Sequence, residues 1–166
     1  MRRGDPVILI RALTISLLTV LPVAGMAQGF QVGFGQMQQD TGLPVEVTAE
    51  ALSVNQSDGS AVFEGKVDVS QGDMRMTADK VNVHYNQETQ AIARLVAEGN
   101  VLLVQGPDAA EANQAIYSID DGTVEMTGNV TVVQSKTTIT ADKMRLNLTD
   151  NTAQMTGNVK TVLKSQ

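Results

Sequence analysis

The chain has no cysteine and no tryptophan, and only 3% of its residues are aromatic. Without thiols it has neither disulfide staples nor thiolate nucleophiles or ligands. It holds one histidine, His84, between Val83 and Tyr85 on the polar phase of an alternating stretch. A metal site needs several clustered ligands, and His84 has no second ligand at usable spacing, so no metal is assigned. There is no basic run, and the net charge is −6. A nucleic-acid partner is therefore disfavoured. No glycine-rich phosphate loop opens a helix and no carboxylate pair stands out. The sequence thus points to no catalytic residue and no cofactor, and the reading is a protein that is not an enzyme. No stretch beyond the N-terminal leader carries a helical period of apolar residues. Valine, threonine and methionine supply most of the apolar mass, and β-branched residues fit a pleated surface.

The N-terminus has the three parts of a secretory signal peptide. Arg2, Arg3 and Arg11 precede an apolar run from Ala12 to Ala24, and Gly25 and Ala27 suit a cut after Ala27. The run is shorter than the ~20 apolar residues of a spanning helix, and Pro22 breaks it. The expected division is a signal peptide over 1–27, a flexible segment over 28–42 and one β domain over 43–166, with the mature protein in the periplasm. An uncleaved membrane anchor is the alternative for the leader.

The rest of the chain is a template used four times. Thr48-Ala49-Glu50, Thr77-Ala78-Asp79, Glu111-Ala112-Asn113 and Thr140-Ala141-Asp142 fill one slot. Gly65-Lys66-Val67, Gly99-Asn100-Val101, Gly128-Asn129-Val130 and Gly157-Asn158-Val159 fill a second. Alanine and glycine lie 16 residues apart in three copies and 21 in the second, a period of 29 with one five-residue insertion. Periods of this length belong to stacked units that cannot bury an apolar face alone.

Within each unit the period is two. In the first copy Val45, Val47, Leu52, Val54, Phe63, Val67 and Val69 share a face. Met74, Met76, Val81, Val83, Leu95, Val101, Leu103, Tyr117, Met126, Val130 and Met144 continue it. The other face carries Lys, Asp, Asn, Thr and Gln. A glycine inside a strand pattern marks a bend or bulge. Two kinks per repeat divide it into four short strands, so four repeats give about sixteen. Eight rungs at ~4.8 Å make a body roughly 35–40 Å long. The predicted fold is all-β, with two facing antiparallel sheets and open edges. Val45 and Val47 mark the first edge and Val159 and Val162 the last; open edges invite strand addition.

Leu43-Pro44-Val45-Glu46-Val47-Thr48-Ala49-Glu50, then Phe63-Glu64-Gly65-Lys66-Val67, Gln71-Gly72-Asp73 and Thr77-Ala78-Asp79-Lys80-Val81 together resemble the LptA/OstA-like family of lipopolysaccharide transport. Copy three departs from the pattern at Ala109-Ala110-Glu111-Ala112-Asn113. The resemblance implies a twisted open β-jellyroll whose apolar residues line a groove for the acyl chains of lipopolysaccharide. It implies an LptC-like inner-membrane partner at the N-terminal edge, an LptD-like outer-membrane partner at the C-terminal edge, and head-to-tail self-stacking. The need for a groove is physical. Each exposed methylene costs about 0.8 kcal/mol, so a twelve-carbon chain crossing water forgoes roughly 9–10 kcal/mol. Two rival readings remain: an LptC-like relative in the same pathway, and a structural β-repeat with a dry core.

Overall fold

A computed structural model describes residues 30–34, 42–55 and 57–164. The signal peptide expected over 1–27 and much of the 28–42 segment lie outside these residues. Eleven strands follow in order: β1 (Phe30–Gly33), β2 (Glu46–Thr48), β3 (Ala51–Asn55), β4 (Ser60–Gln71), β5 (Met74–Tyr85), β6 (Ile92–Gln105), β7 (Asp108–Ser118), β8 (Thr123–Gln134), β9 (Thr137–Asn147), β10 (Thr152–Thr156) and β11 (Lys160–Leu163). No described residue is helical. All pairing is antiparallel, in the order β1-β10-β9-β8-β7-β6-β5-β4-β2, with β3 also on β4 and β11 also on β9.

The kinks expected from the glycines are bulges inside continuous strands. Between neighbouring long strands the register breaks once beside each repeat glycine, as between Glu64 and Val67 and between Thr127 and Val130. Each of the six long strands therefore has two arms. β2 with β3, and β10 with β11, are the separated arms of two further strands. The described residues thus form eleven strands and not the sixteen or so short ones expected, because six of them run through the bend unbroken. The first set of arms ends in the turns after Asn55, Tyr85, Ser118 and Asn147; the second ends in those after Gln71, Gln105 and Gln134. The five-residue insertion lengthens the hairpin tip between Val83 and Leu95, where Asn86 Oδ1 accepts from the Glu88 and Thr89 amides at 2.9 and 3.2 Å.

The bends repeat in atomic detail. Gly65 has φ +81°, and a Cβ there would lie 2.6 Å from Glu50 Oε2. Gly99, Gly128 and Gly157 share that conformation, and each is covered by the acidic or amide side chain of its own repeat: Asp79, Asn113 and Asp142. The following residue also has positive φ: Lys66, Asn100, Asn129 and Asn158. Asparagine tolerates this backbone better than most residues, and Asn100 and Asn158 donate Nδ2 to Asp79 and Asp142 at 2.7 and 2.8 Å. In the first copy Lys66 instead pairs with Glu50 at 2.7 Å. The two recurring slots of the sequence are thus the two halves of one corner.

The strand alternation sends the apolar phase inward. Leu52, Phe63, Val81, Ala97, Ala115, Met126, Met144 and Met155 stand opposite one another from strand to strand across the whole first set of arms. In the second set Val47, Val69, Met76, Leu103, Ala110, Val132 and Ile139 do the same. The two inner faces pack on each other as the core.

Candidate functional site

The residues expected to line a groove share one interior. Val67, Val69, Met74, Met76, Val81, Val83, Leu95, Val101, Leu103, Tyr117, Met126, Val130 and Met144 are all buried. Val45, Val47 and Phe63 are partly buried against that cluster. Leu52 and Val54 belong to the same inner rows but are 56% and 63% exposed, because among the described residues β3 pairs with β4 alone. Through the middle of the stack the interior is filled by the chain's own side chains. At the N-terminal end it opens: Leu52, Val54, Ala61, Phe63 and Tyr85 line a cleft of about 300 Å³, with Asp58, Gly59, Gln87 and Gln90 at its polar rim. A larger hollow of about 480 Å³ lies at the bends, among Asn100, Val101, Leu102, Glu111, Ala112 and Asn129. Its lining is mixed, and less apolar than that of the N-terminal cleft.

Among the described residues the ladder bonds run along the stack and none crosses the interior between the two sets of arms. The arms are joined through the glycine corners at one side. At the other side, the seam, their tips meet through side chains. Tyr117 Oη, from the first set, donates to Gln71 Oε1 in the second, and Gln71 Nε2 donates to the Leu43 carbonyl at 2.8 Å. Gln134 Nε2 donates to Asp108 Oδ2 at 2.9 Å and to the Gly33 carbonyl at 2.6 Å. Gln71, Gln105 and Asp108 are buried despite their polarity. Burial pushes the Tyr117 hydroxyl up to about 12, so it remains a donor across the neutral range.

These seam groups were not among the residues singled out from the sequence, but they left a signal. Glutamine falls six residues after the repeat glycine in three copies, as Gln71, Gln105 and Gln134. A polar residue at a fixed slot that closes an apolar row marks the rim of the interior. The segment over 28–42 also contributes more than the expected lead-in. β1 pairs with β10, and Phe34 behind it is fully buried in the core.

Of the expected edge residues, Val159 and Val162 are exposed at 38% and 46%. All four residues of β11 and all five of β3 are exposed. The outer faces are salt-bridged, with Glu125 between Lys143 at 3.1 Å and Arg145. Those cations hold its carboxyl below the usual range, Lys143 contributing most. His84 is half-buried on the outward phase. Among the described residues no three His, Cys, Asp or Glu side chains cluster as a metal site would need, and no helix is long and apolar enough to cross a membrane.

The model of the LptA/(LptD N-terminal domain) LPS transport protein family matches residues 46–152. That span runs from the first edge strand to the start of β10 and takes in every bend but the last. No curated protein sequence matches the chain. Among solved structures, it is similar to LptH of Pseudomonas aeruginosa, described as the LptA-homologous periplasmic component of the lipopolysaccharide transport device. The TM-score is 0.68 at 17% identity, with 76% of this chain and 99% of that one covered. At that identity the likeness is one of fold.

Proposed function

The chain belongs to the LptA/(LptD N-terminal domain) LPS transport protein family, and from that premise we propose that it is a periplasmic carrier that shields lipopolysaccharide acyl chains between the two apolar inner faces. The observation that carries this reading is an apolar interior with an open apolar mouth at Leu52, Val54 and Phe63 and, among the described residues, no backbone bond across it. Parting the arms exposes side chains, and acyl chains of similar apolarity re-cover them. The loss is then confined to packing and a few side-chain hydrogen bonds, each worth about 1 kcal/mol net. Methionine, alanine and valine suit a ligand that slides, since they re-pack without a rigid pocket. Saccharide and phosphate groups stay in water at the seam. The sequence carries no glycine-rich phosphate loop opening a helix, and in this reading net direction is supplied by another component.

Partners join edge to edge in this reading. An inner-membrane LptC-like protein adds at β2 and β3, and an outer-membrane LptD-like protein adds at the C-terminal edge, where β11 is exposed and β10 carries β1. The exposed edges make strand addition the simplest mode of contact. The dry-cored alternative draws on the filled middle of the interior. A photo-crosslinking residue at Phe63 or Leu52 separates the two. Lipopolysaccharide should be labelled from both positions and not from Lys66 or Glu46, which lie on the outer face. Equal labelling from both faces, or none from Phe63, would overturn the carrier reading.

A further inference from the structure

Every strand in the stack but one is explained by the repeat. The exception is β1, which adds to β10 at the far end of the molecule from β2 and β3. Its register places Phe30 opposite Met155 and Val32 opposite Ala153. These are the ends of two inner rows. One begins at Leu52 and ends at Met155. The other begins at Val54, passes through Ala61, Val83, Leu95, Tyr117, Val124 and Leu146, and ends at Ala153.

Suppose a second copy continued the stack. Its β3 would follow β10 on the same set of arms, Leu52 would stand opposite Met155, and Val54 opposite Ala153. Strand directions alternate along the sheet, so the incoming β3 would run antiparallel to β10, as β1 does. The segments also read alike: Phe30-Gln31-Val32-Gly33 against Leu52-Ser53-Val54-Asn55, apolar and polar in the same phase. We infer that β1 is an internal stand-in for the β3 strand of a second copy. It occupies the first-arm half of the C-terminal edge and must leave before head-to-tail stacking can proceed there.

This rests on the edge-to-edge reading above and adds its control. Among the described residues the second-arm half of that edge, β11, pairs with β9 alone and is exposed, while β10 is covered, so a free molecule presents half a junction. β1 is held by ladder bonds over four residues, by the Gln134 contact to Gly33 and by the Phe34 amide donating to the Asn151 carbonyl at 2.9 Å. The last two contacts reach different sets of arms. The same short segment thus covers an edge and ties the seam beside it, and stacking and seam opening become coupled.

An intramolecular strand weakens a competitor by the fraction of time it is docked. If β1 is seated nine-tenths of the time, stacking is about tenfold weaker than the edges alone would give. The chain lacks cysteine, so the pair Gln31→Cys with Gln154→Cys, directly opposite in register, forms an unambiguous lock. The protein purified after export is compared oxidised and reduced by sedimentation and native mass spectrometry. A third form lacks residues 28–34, and a fourth adds Val54→Pro in β3 to the truncated form. The oxidised lock should stay monomeric, the reduced form should associate, and the truncated form should associate at about tenfold lower concentration. Val54→Pro should abolish that association. If locked, reduced and truncated proteins all associate alike and Val54→Pro still abolishes it, edge joining stands and the stand-in role of β1 is overturned. If no form associates, stacking through these edges is overturned with it. Thermal unfolding of the reduced double variant identifies any loss that is simply misfolding.

Discussion

At the residue scale, the glycine of each repeat is required twice over, by backbone and by space. Gly128 has φ +82°, and a Cβ there would lie 2.7 Å from Asn113 Nδ2 and 3.0 Å from its Cβ. Gly59, in a hairpin turn, has φ +67° but meets nothing within 4 Å. Alanine at Gly59 therefore carries the left-handed backbone penalty alone, about 1–2 kcal/mol. Alanine at Gly128 adds a clash with an atom anchored to the backbone, and should cost about 2–4 kcal/mol. Chemical denaturation of the two variants checks the difference; equal losses would mean that the corner side chain yields freely. Tyr117 supplies a second test. Its hydroxyl is raised from 10 to about 12 by burial. A raised folded-state value means its contribution is intact below pH 10 and is lost as pH climbs through about 12. The wild type should thus lose stability over that window in excess of Tyr117→Phe, as read from unfolding midpoints at each pH. Parallel curves would show that Tyr117 is not responsible.

At the element scale, what could be read from the sequence follows the range of the interactions involved. The bends and hairpins were legible because both partners of each corner recur at fixed spacing. The apolar rows were legible because period two places Val67 and Val69, or Val81 and Val83, on one side whatever lies beyond. The strand ends were not. A glycine inside an alternating pattern signals a bend, but only the ladder shows that β4 continues through Gly65 while β10 and β11 are separate at the equivalent Gly157. β1 was hidden for a related reason. Phe30 and Val32 make too short an alternation to stand out, and their partners lie more than a hundred residues away, at Met155 and Ala153. The seam glutamines needed the repeat to be read for polar residues as well as apolar ones. The interior rows themselves do not declare whether they hold lipid. Met126 and Met144 would be buried equally in a dry core, and the family match carries the argument from there.

At the scale of the whole molecule, strand pairing among the described residues is confined to neighbours along the stack, as in other repeat architectures. Length is then adjustable in whole units. Removing residues 112–140 takes out one period and brings Glu111 to Ala141, with Ala112 and Ala141 equivalent in the template. Met144 takes the place of Ala115 opposite Ala97, Leu146 takes that of Tyr117, and Gly157 closes the corner in place of Gly128. Two strands are lost, so the body should shorten by roughly 9–10 Å at the ordinary strand spacing and remain a folded β protein. Small-angle scattering gives the maximum dimension and circular dichroism the fold. Removing half a period, residues 112–125, leaves one strand too few for the antiparallel alternation and turns inward residues outward, and should unfold the chain. The full-period deletion also separates scaffold from carrier. It discards Tyr117 and Gln134, the two seam ties contributed by that repeat, while the mouth at Leu52, Val54 and Phe63 is untouched. A shortened body that still labels lipopolysaccharide from Phe63, and does so faster than the parent, would mean that the ties limit entry. A shortened, folded body with no labelling would mean that lipid reaches the mouth only when the deleted repeat is present.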